Sequence, residues 1–286
     1  MKYYFQVSFN LKVILYVAKV PSLSSIHFSG GRIDQLLYMQ ESALMEAVSQ
    51  GTPESWTWQV GLRRPNEPNL FCCGVLIGRA WVLTAAHCVY YMRNLKPTPV
   101  IEVIIGEKDL RNKDGVLTNA TEVFVHKLYD PHTQDYDFAM LQLADPVEQS
   151  PLMYIRPVKL PEEDTDFESG TVCFVSGYGA PEPGNNSFAK LMIVQVPIAS
   201  KDACKKVYED RKITPRMFCA GFEEGGVDAC QGDGGGPLVC KDGSSWYLKG
   251  LVSWGRGCAV PGSYGVYANV KSVMKWIDGI TGLSAE

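Results

Sequence analysis

The chain has 286 residues with 27 basic and 31 acidic side chains, a formal net charge of −4, 46% hydrophobic residues and 20% charged residues. That composition supports a sizeable buried core and excludes disordered, collagen-like and low-complexity classes, and the lack of a basic excess argues against a nucleic-acid partner. Nine cysteines are many for a reducing compartment and odd in number. They imply an oxidising compartment with at least one thiol unpaired within the chain.

Residues 1–20 read as an interrupted signal peptide. Lys2 supplies a basic start, but Gln6, Asn10 and Lys12 break the apolar run, and the clean stretch from Val13 to Ala18 is too short to cross a bilayer. No membrane span is expected. Residues 21–55 read as a pro-like amino-terminal extension, with Ser, Gly and Pro at both ends and helix-spaced apolar residues at Leu36, Leu37, Met39, Ala43, Leu44 and Ala47. From Trp56 onward, short β-prone runs alternate with Gly, Pro, Asn and Asp clusters. They cover Trp58–Leu62, Val75–Ile77, Trp81–Thr84, Ile101–Ile105, Glu122–His126, Ala139–Leu143, Val172–Ser176, Met192–Val196, Trp246–Val252 and Gly265–Val270. Many short, evenly spaced strands predict antiparallel barrels or a sandwich. Two helices are predicted, one capped by Ser200 and one from about Val270 to Ile277. Sequons at Asn119 and Asn185 agree with a secretory route.

Three separated patches carry chemistry. Thr84-Ala85-Ala86-His87-Cys88 follows a strand, Asp137 precedes the strand-like Phe138-Ala139-Met140-Leu141, and Asp228-Ala229-Cys230-Gln231-Gly232-Asp233-Gly234-Gly235-Gly236-Pro237 is glycine-rich. In that order they make the chain, from about Trp56 to Ile280, resemble a trypsin/chymotrypsin-type serine protease of the peptidase S1 family. The resemblance implies an all-β fold of two packed six-stranded antiparallel β-barrels, about 56–160 and 161–270, followed by a C-terminal helix. It also implies a cleft between the barrels.

In such a cleft a histidine takes the proton of a hydroxyl nucleophile, and a buried carboxylate holds the imidazole in the right tautomer. His87 and Asp137 match those positions; Asp135 is a near neighbour of the second. His27, His126 and His132 carry no flanking motif and read as structural. At the nucleophile the family has Gly-Asp-Ser-Gly-Gly-Pro, whereas this chain has Gly232-Asp233-Gly234-Gly235-Gly236-Pro237. Gly234 offers no hydroxyl, and no Ser or Thr lies between Cys230 and Leu238. Removing the triad nucleophile costs on the order of a millionfold in turnover in a well-studied serine protease. Gly232 and Gly234 match the backbone donors of the oxyanion hole.

The family's activation site is also altered. In register with it stands Met45-Glu46-Ala47-Val48 after Leu44, with neither a basic cleavage residue nor an Ile-Val-Gly-Gly-like terminus; Arg32-Ile33 lies too early. Asp233, which the family pairs with the new terminus, is therefore expected to turn to other donors or to solvent, leaving a zymogen-like pocket. Recognition residues are better kept. The resemblance places Asp228 at the base of an Arg/Lys pocket, Gly255 and Gly265 in its walls, and Ser253-Trp254-Gly255 along an edge that pairs with extended substrate.

The resemblance further implies bridges Cys72–Cys88, Cys173–Cys240, Cys204–Cys219 and Cys230–Cys258, which leave Cys73 over at a position the family gives to Gly. Lys159 stands where the family tethers a pro-domain by cysteine. No paired Cys-x-x-Cys spacing suggests zinc. The acidic loop Glu107 to Asp114 resembles a calcium loop only faintly, since Leu117 replaces the final acid. No metal and no cofactor is expected. The preferred expectation is a secreted, non-catalytic serine protease homologue that binds a protein or peptide ligand, such as a basic segment, as decoy, cofactor or regulator in a proteolytic or innate-defence cascade. The competing expectation is an active endopeptidase cleaving after Arg or Lys, with Gly234 a variant or error. A third is a partner subunit linked through Cys73.

Overall fold

In the computed structural model the described residues are 56–93, 95, 99–148, 155–179 and 190–283. The signal-like segment, the helix-spaced run in 21–55, the Met45 register and the Asn185 sequon lie outside them. The first barrel is built from β1 (Gln59–Arg63), β2 (Leu70–Gly78), β3 (Trp81–Thr84), β4 (Ile101–Ile105), β5 (Val116–Val125) and β6 (Ala139–Leu143). These strands close in the order β1-β2-β3-β6-β5-β4, each pair antiparallel. Alternation explains β4, where Ile101, Val103 and Ile105 point inward and are buried while Glu102 lies half exposed and pairs with Arg63 of β1.

The second half contains β7 (Val172–Gly177), β8 (Met192–Pro197), β9 (Met217–Ala220), β10 (Pro237–Asp242), β11 (Ser245–Trp254) and β12 (Gly265–Asn269). They form a six-stranded antiparallel sheet in the order β8-β7-β10-β11-β12-β9. Its free edges meet at one end only, through an Ile198–Ala220 bridge and a 3.0 Å bond from the Gly221 N–H to the Pro197 carbonyl. The expected second barrel is thus closed at one end and splayed at the other.

One hydrophobic core crosses the junction between the halves, joining Val60, Leu83, Phe138 and Met140 of the first to Phe174, Val239, Leu248 and Leu251 of the second. The buried Trp56 ring lies 5.5 Å from Trp58, 5.9 Å from Phe174 and 5.5 Å from Trp246, so aromatic edges and faces fasten the two sheets. The predicted Ser200-capped helix is α2 (Lys201–Val207), after the short α1 (Ala86–Val89); the Ser200 hydroxyl accepts from the Ala203 N–H at 3.1 Å. The C-terminal helix begins as a 3-10 turn at Val270–Val273 and continues as α3 (Met274–Thr281), burying Val273 and Ile277 before Gly282 ends it at φ +66°.

Candidate active site

His87 sits on α1, one turn after β3, and its backbone N–H donates to Asp137 Oδ1 at 2.8 Å. Its Nδ1 is 2.8 Å from Asp137 Oδ2. Asp137 is fully buried on its side chain, and the Ser253 hydroxyl donates to the same Oδ2 at 2.5 Å. Three donors therefore hold one buried carboxylate, which fixes the imidazole with Nε2 facing the cleft. Burial pulls the His87 pKa down, but the Asp137 charge and hydrogen bond outweigh it and leave His87 above its ordinary value.

The sequence left Asp135 beside Asp137; the structure separates them. Asp135 accepts from Thr214 Oγ1 at 2.6 Å and from Arg216 at 3.1 and 2.5 Å, so it is committed to the second half of the molecule. Tyr136 between them takes a left-handed φ of +53°. Its ring is stacked on His126 at 4.7 Å with the Arg216 guanidinium 4.7 Å from its centroid, contacts that hold an otherwise disfavoured backbone and turn Asp137 toward His87. His126 is thus structural, as expected.

Gly234 faces this dyad. A Cβ built on it would lie 2.7 Å from His87 Nε2, and no acceptor among the described residues takes the N–H of Gly232 or Gly234. Asp228 belongs to the same cleft of about 460 Å³, with Ser253, Trp254, Gly255, Gly265 and Tyr267 in its lining. A Cβ at Gly265 would stand 2.6 Å from Asp228 Oδ1, so only glycine leaves that carboxylate reachable. Burial raises the Asp228 pKa to about 6 against two backbone N–H bonds, from Ala229 at 2.8 Å and Ala259 at 3.4 Å. The Trp254 ring is backed by Tyr208 at 4.8 Å and by Arg211, whose guanidinium lies 3.8 Å from its centroid.

The sequence profile of the Trypsin family matches residues 47–277. The chain belongs to the trypsin family. Among curated relatives it is 39% identical over 234 residues to transmembrane protease serine 5 of Homo sapiens, a match covering 79% of this chain and 49% of that protein. It is 33% identical over 231 residues to coagulation factor XI of Bos taurus, covering 80% of this chain and 36% of that one. The chain thus spans about half, or less, of these relatives' length.

All four bridges implied by the trypsin-family resemblance are formed. The single cluster of metal-type donors among the described residues is Cys72, His87 and Cys88, and its two sulfurs are bonded to each other, which removes both thiolates as ligands. Cys73 is free and wholly buried, with its thiol 3.3 Å from the Gly232 carbonyl. Burial and the nearby Asp233 charge push its pKa well up. That placement argues against the expected link to a partner subunit.

Asp233 accepts from the Gly179 N–H at 2.6 Å and the Cys230 N–H at 2.9 Å. Burial raises its pKa against these two donors. Among the described residues its oxygens therefore rest on backbone donors. The cleft lining joins Asp228 to His87 and Gly234. Sequence reading missed the Ser253 hydroxyl on Asp137, the left-handed Tyr136, and Arg64, Phe71 and Tyr91 in the cleft lining.

Proposed function

We propose that this trypsin-family chain is a secreted serine protease homologue that binds an extended segment bearing arginine or lysine and does not cleave it. The observation that carries the reading is the pairing of Gly234 with His87. The general base is oriented by Asp137, yet nothing opposite Nε2 can be deprotonated to attack a carbonyl. A cost on the order of a millionfold for a missing nucleophile leaves binding as the property selection can act on.

Asp228 gives the segment its charge preference, with Gly255 and Gly265 as side-chain-free walls and Gly232 and Gly234 as N–H donors toward a bound carbonyl. Ser253-Trp254-Gly255 would pair with the segment's backbone. Four disulfides support secretion, and Asn119, exposed on β5 within its sequon, would carry a glycan. No helix among the described residues is long and apolar enough to cross a membrane. Holding a substrate-like segment uncut suits a decoy, cofactor or regulator in a proteolytic or defence cascade.

The test has two arms on the intact chain. We expect saturable binding of an arginine-containing peptide, with neither labelling by a serine-directed phosphonate nor a burst on an arginine ester. A burst or a label would sink the non-catalytic reading; failure of any basic peptide to bind would sink the binding reading.

A further inference from the structure

We propose that His126 is an acid-sensing latch on the edge that receives the bound segment: its neutral ring holds Tyr136 in the left-handed turn that aims Asp137 at Ser253, and a proton on that ring releases the turn and loosens the edge. This rests on the binding function above and adds its regulation. Nδ1 of His126 accepts from the Leu128 N–H at 3.2 Å, so the neutral ring carries its one proton on Nε2. The ring is stacked on Tyr136 at 4.7 Å between centroids and meets Trp276 of α3 edge-on at 4.9 Å, and the residue is only 6% exposed. The packing that makes His126 structural also leaves a second ring proton badly placed. It would point from Nδ1 at the Leu128 N–H, turning a hydrogen bond into two opposed donors.

The surroundings oppose the charged ring as well. Burial first, and the neighbouring Lys127 second, hold His126 below the ordinary histidine value, with Asp135 pulling the other way. Asp135 has little to give, because its oxygens are already engaged by Thr214 and Arg216. The Arg216 guanidinium lies 4.7 Å from the Tyr136 centroid, so an imidazolium would share one aromatic ring with a permanent cation, and from α3 the ring meets the uncharged Trp276. Acid therefore favours an arrangement in which the His126 ring reaches water. That arrangement costs Tyr136 its stacking partner, and a tyrosine at φ +53° keeps its conformation only while contacts hold it.

Both ends of the turn are fixed. Asp135 is tied to the second half, and Phe138 is fully buried with its carbonyl taking the His126 N–H at 2.9 Å, so relaxation falls on Tyr136 and Asp137. Asp137 Oδ2 holds the Ser253 hydroxyl at 2.5 Å, and Ser253 opens the edge Ser253-Trp254-Gly255. Release at His126 thus reaches the cleft through Tyr136, Asp137 and Ser253.

The experiment reads amide hydrogen exchange over Tyr136 to Phe138 in the intact, ligand-free chain at pH 7.5 and pH 5, with the intrinsic pH dependence of exchange divided out. The parent should open this segment roughly tenfold more often at pH 5. Acid also charges His87, which tightens its pair with Asp137, so that effect has the opposite sign. His126→Phe keeps a stacking ring that takes no proton, and Tyr136→Gly adopts the left-handed turn without needing the stack. Each should abolish the acid response, and the second decides the matter if the first does not fold. A parent with no response, or a response that survives in a folded variant, overturns the latch. Affinity for an arginine peptide should fall more steeply from pH 7.5 to pH 5 in the parent than in His126→Phe, which shares the Asp228 effect; equal slopes overturn the link to the edge. If no basic peptide binds at any pH, the proposed function falls, while the exchange difference still decides whether His126 is a latch.

Discussion

His87 Nε2 stands 2.7 Å from the point a Cβ on Gly234 would occupy, so the imidazole reaches into space that a serine side chain would need. The contact is with the end of a ring whose side chain is 27% exposed, and it can withdraw by a few tenths of an ångström while Nδ1 keeps Asp137.

Gly234→Ser should therefore fold with a Tm within a few degrees of the parent, since a change near 1 kcal/mol moves a domain of this size by about 2–4 °C. Because the dyad and the Asp228 pocket already share one cleft, the variant should gain phosphonate labelling that the parent lacks. Adding Asp137→Asn should then slow labelling by about ten-thousandfold, as the wrong tautomer faces the new hydroxyl. A well-folded Gly234→Ser protein that never labels would show that the Gly232 and Gly234 N–H groups, or the pocket, do not stand in working positions.

Asp228 ties binding and stability to pH in opposite directions. Its folded pKa of about 6 lies above the 3.8 of an ordinary aspartate, so the folded state holds the proton more tightly than the unfolded one. The sign is that of a penalty on charge: none below pH 3.8, growing as pH rises toward 6, and complete above it. Asp228→Asn should accordingly stabilise the protein at pH 7.5 and leave the Tm unchanged near pH 4. Binding of the arginine peptide should do the reverse, being strongest above pH 6, falling about tenfold per unit below it, and lost in Asp228→Asn. A Tm difference that is the same at both pH values, or affinity flat through pH 6, would remove Asp228 from this role.

Cys73 should be chemically silent in the native protein. Its thiol is buried against the Gly232 carbonyl, and burial together with the Asp233 charge disfavours the thiolate that would react. An aromatic-disulfide thiol assay should count no free thiol before denaturation and one after it, with the four bridges intact. Non-reducing gels should show monomer. A disulfide-linked dimer would mean that the Cys72–Cys73 strand opens.

The catalytic half of the site was legible because it lies in contiguous residues: Thr84-Ala85-Ala86-His87-Cys88 and Asp137-Phe138-Ala139-Met140-Leu141 each carry their own context. The position of Asp137 directly before Phe138-Ala139-Met140-Leu141 singled it out over Asp135, whereas the role of Asp135 was hidden because its partners Thr214 and Arg216 are distant in sequence. Strands β9 and β10 escaped periodicity for local reasons. The first is four residues long, and the second opens on Pro237 after three glycines, where side-chain alternation has no room to register. β5 starts at Val116, ahead of the expected Glu122, and its first half hides from an apolar pattern because Thr118, the residue it buries, is polar while the apolar Leu117 is exposed, although both pair with β4. Nothing in the residue types announces that Tyr136 turns left-handed. Nor do they place Arg64 beside Tyr91, since both follow from tertiary contacts.

Glu107 braces the loop between β4 and β5 from within. Its side chain is turned inward, with the residue only 2% exposed, and the carboxylate accepts from the N–H groups of Lys108 at 3.0 Å, Asp109 at 3.2 Å and Gly115 at 2.8 Å. Tyr178, from the second half, donates to its carbonyl at 2.5 Å. The charge that a calcium loop would offer a cation is here spent on closing the loop's own backbone. Glu107→Ala would strand three donors and should cost about 2–4 kcal/mol, or about 5–15 °C in Tm. Glu107→Gln keeps the shape and one acceptor oxygen and should cost less. Thermal scans in calcium and in chelator should coincide for the parent; a Tm that rises with calcium would show that Glu107 releases its backbone donors to hold the ion.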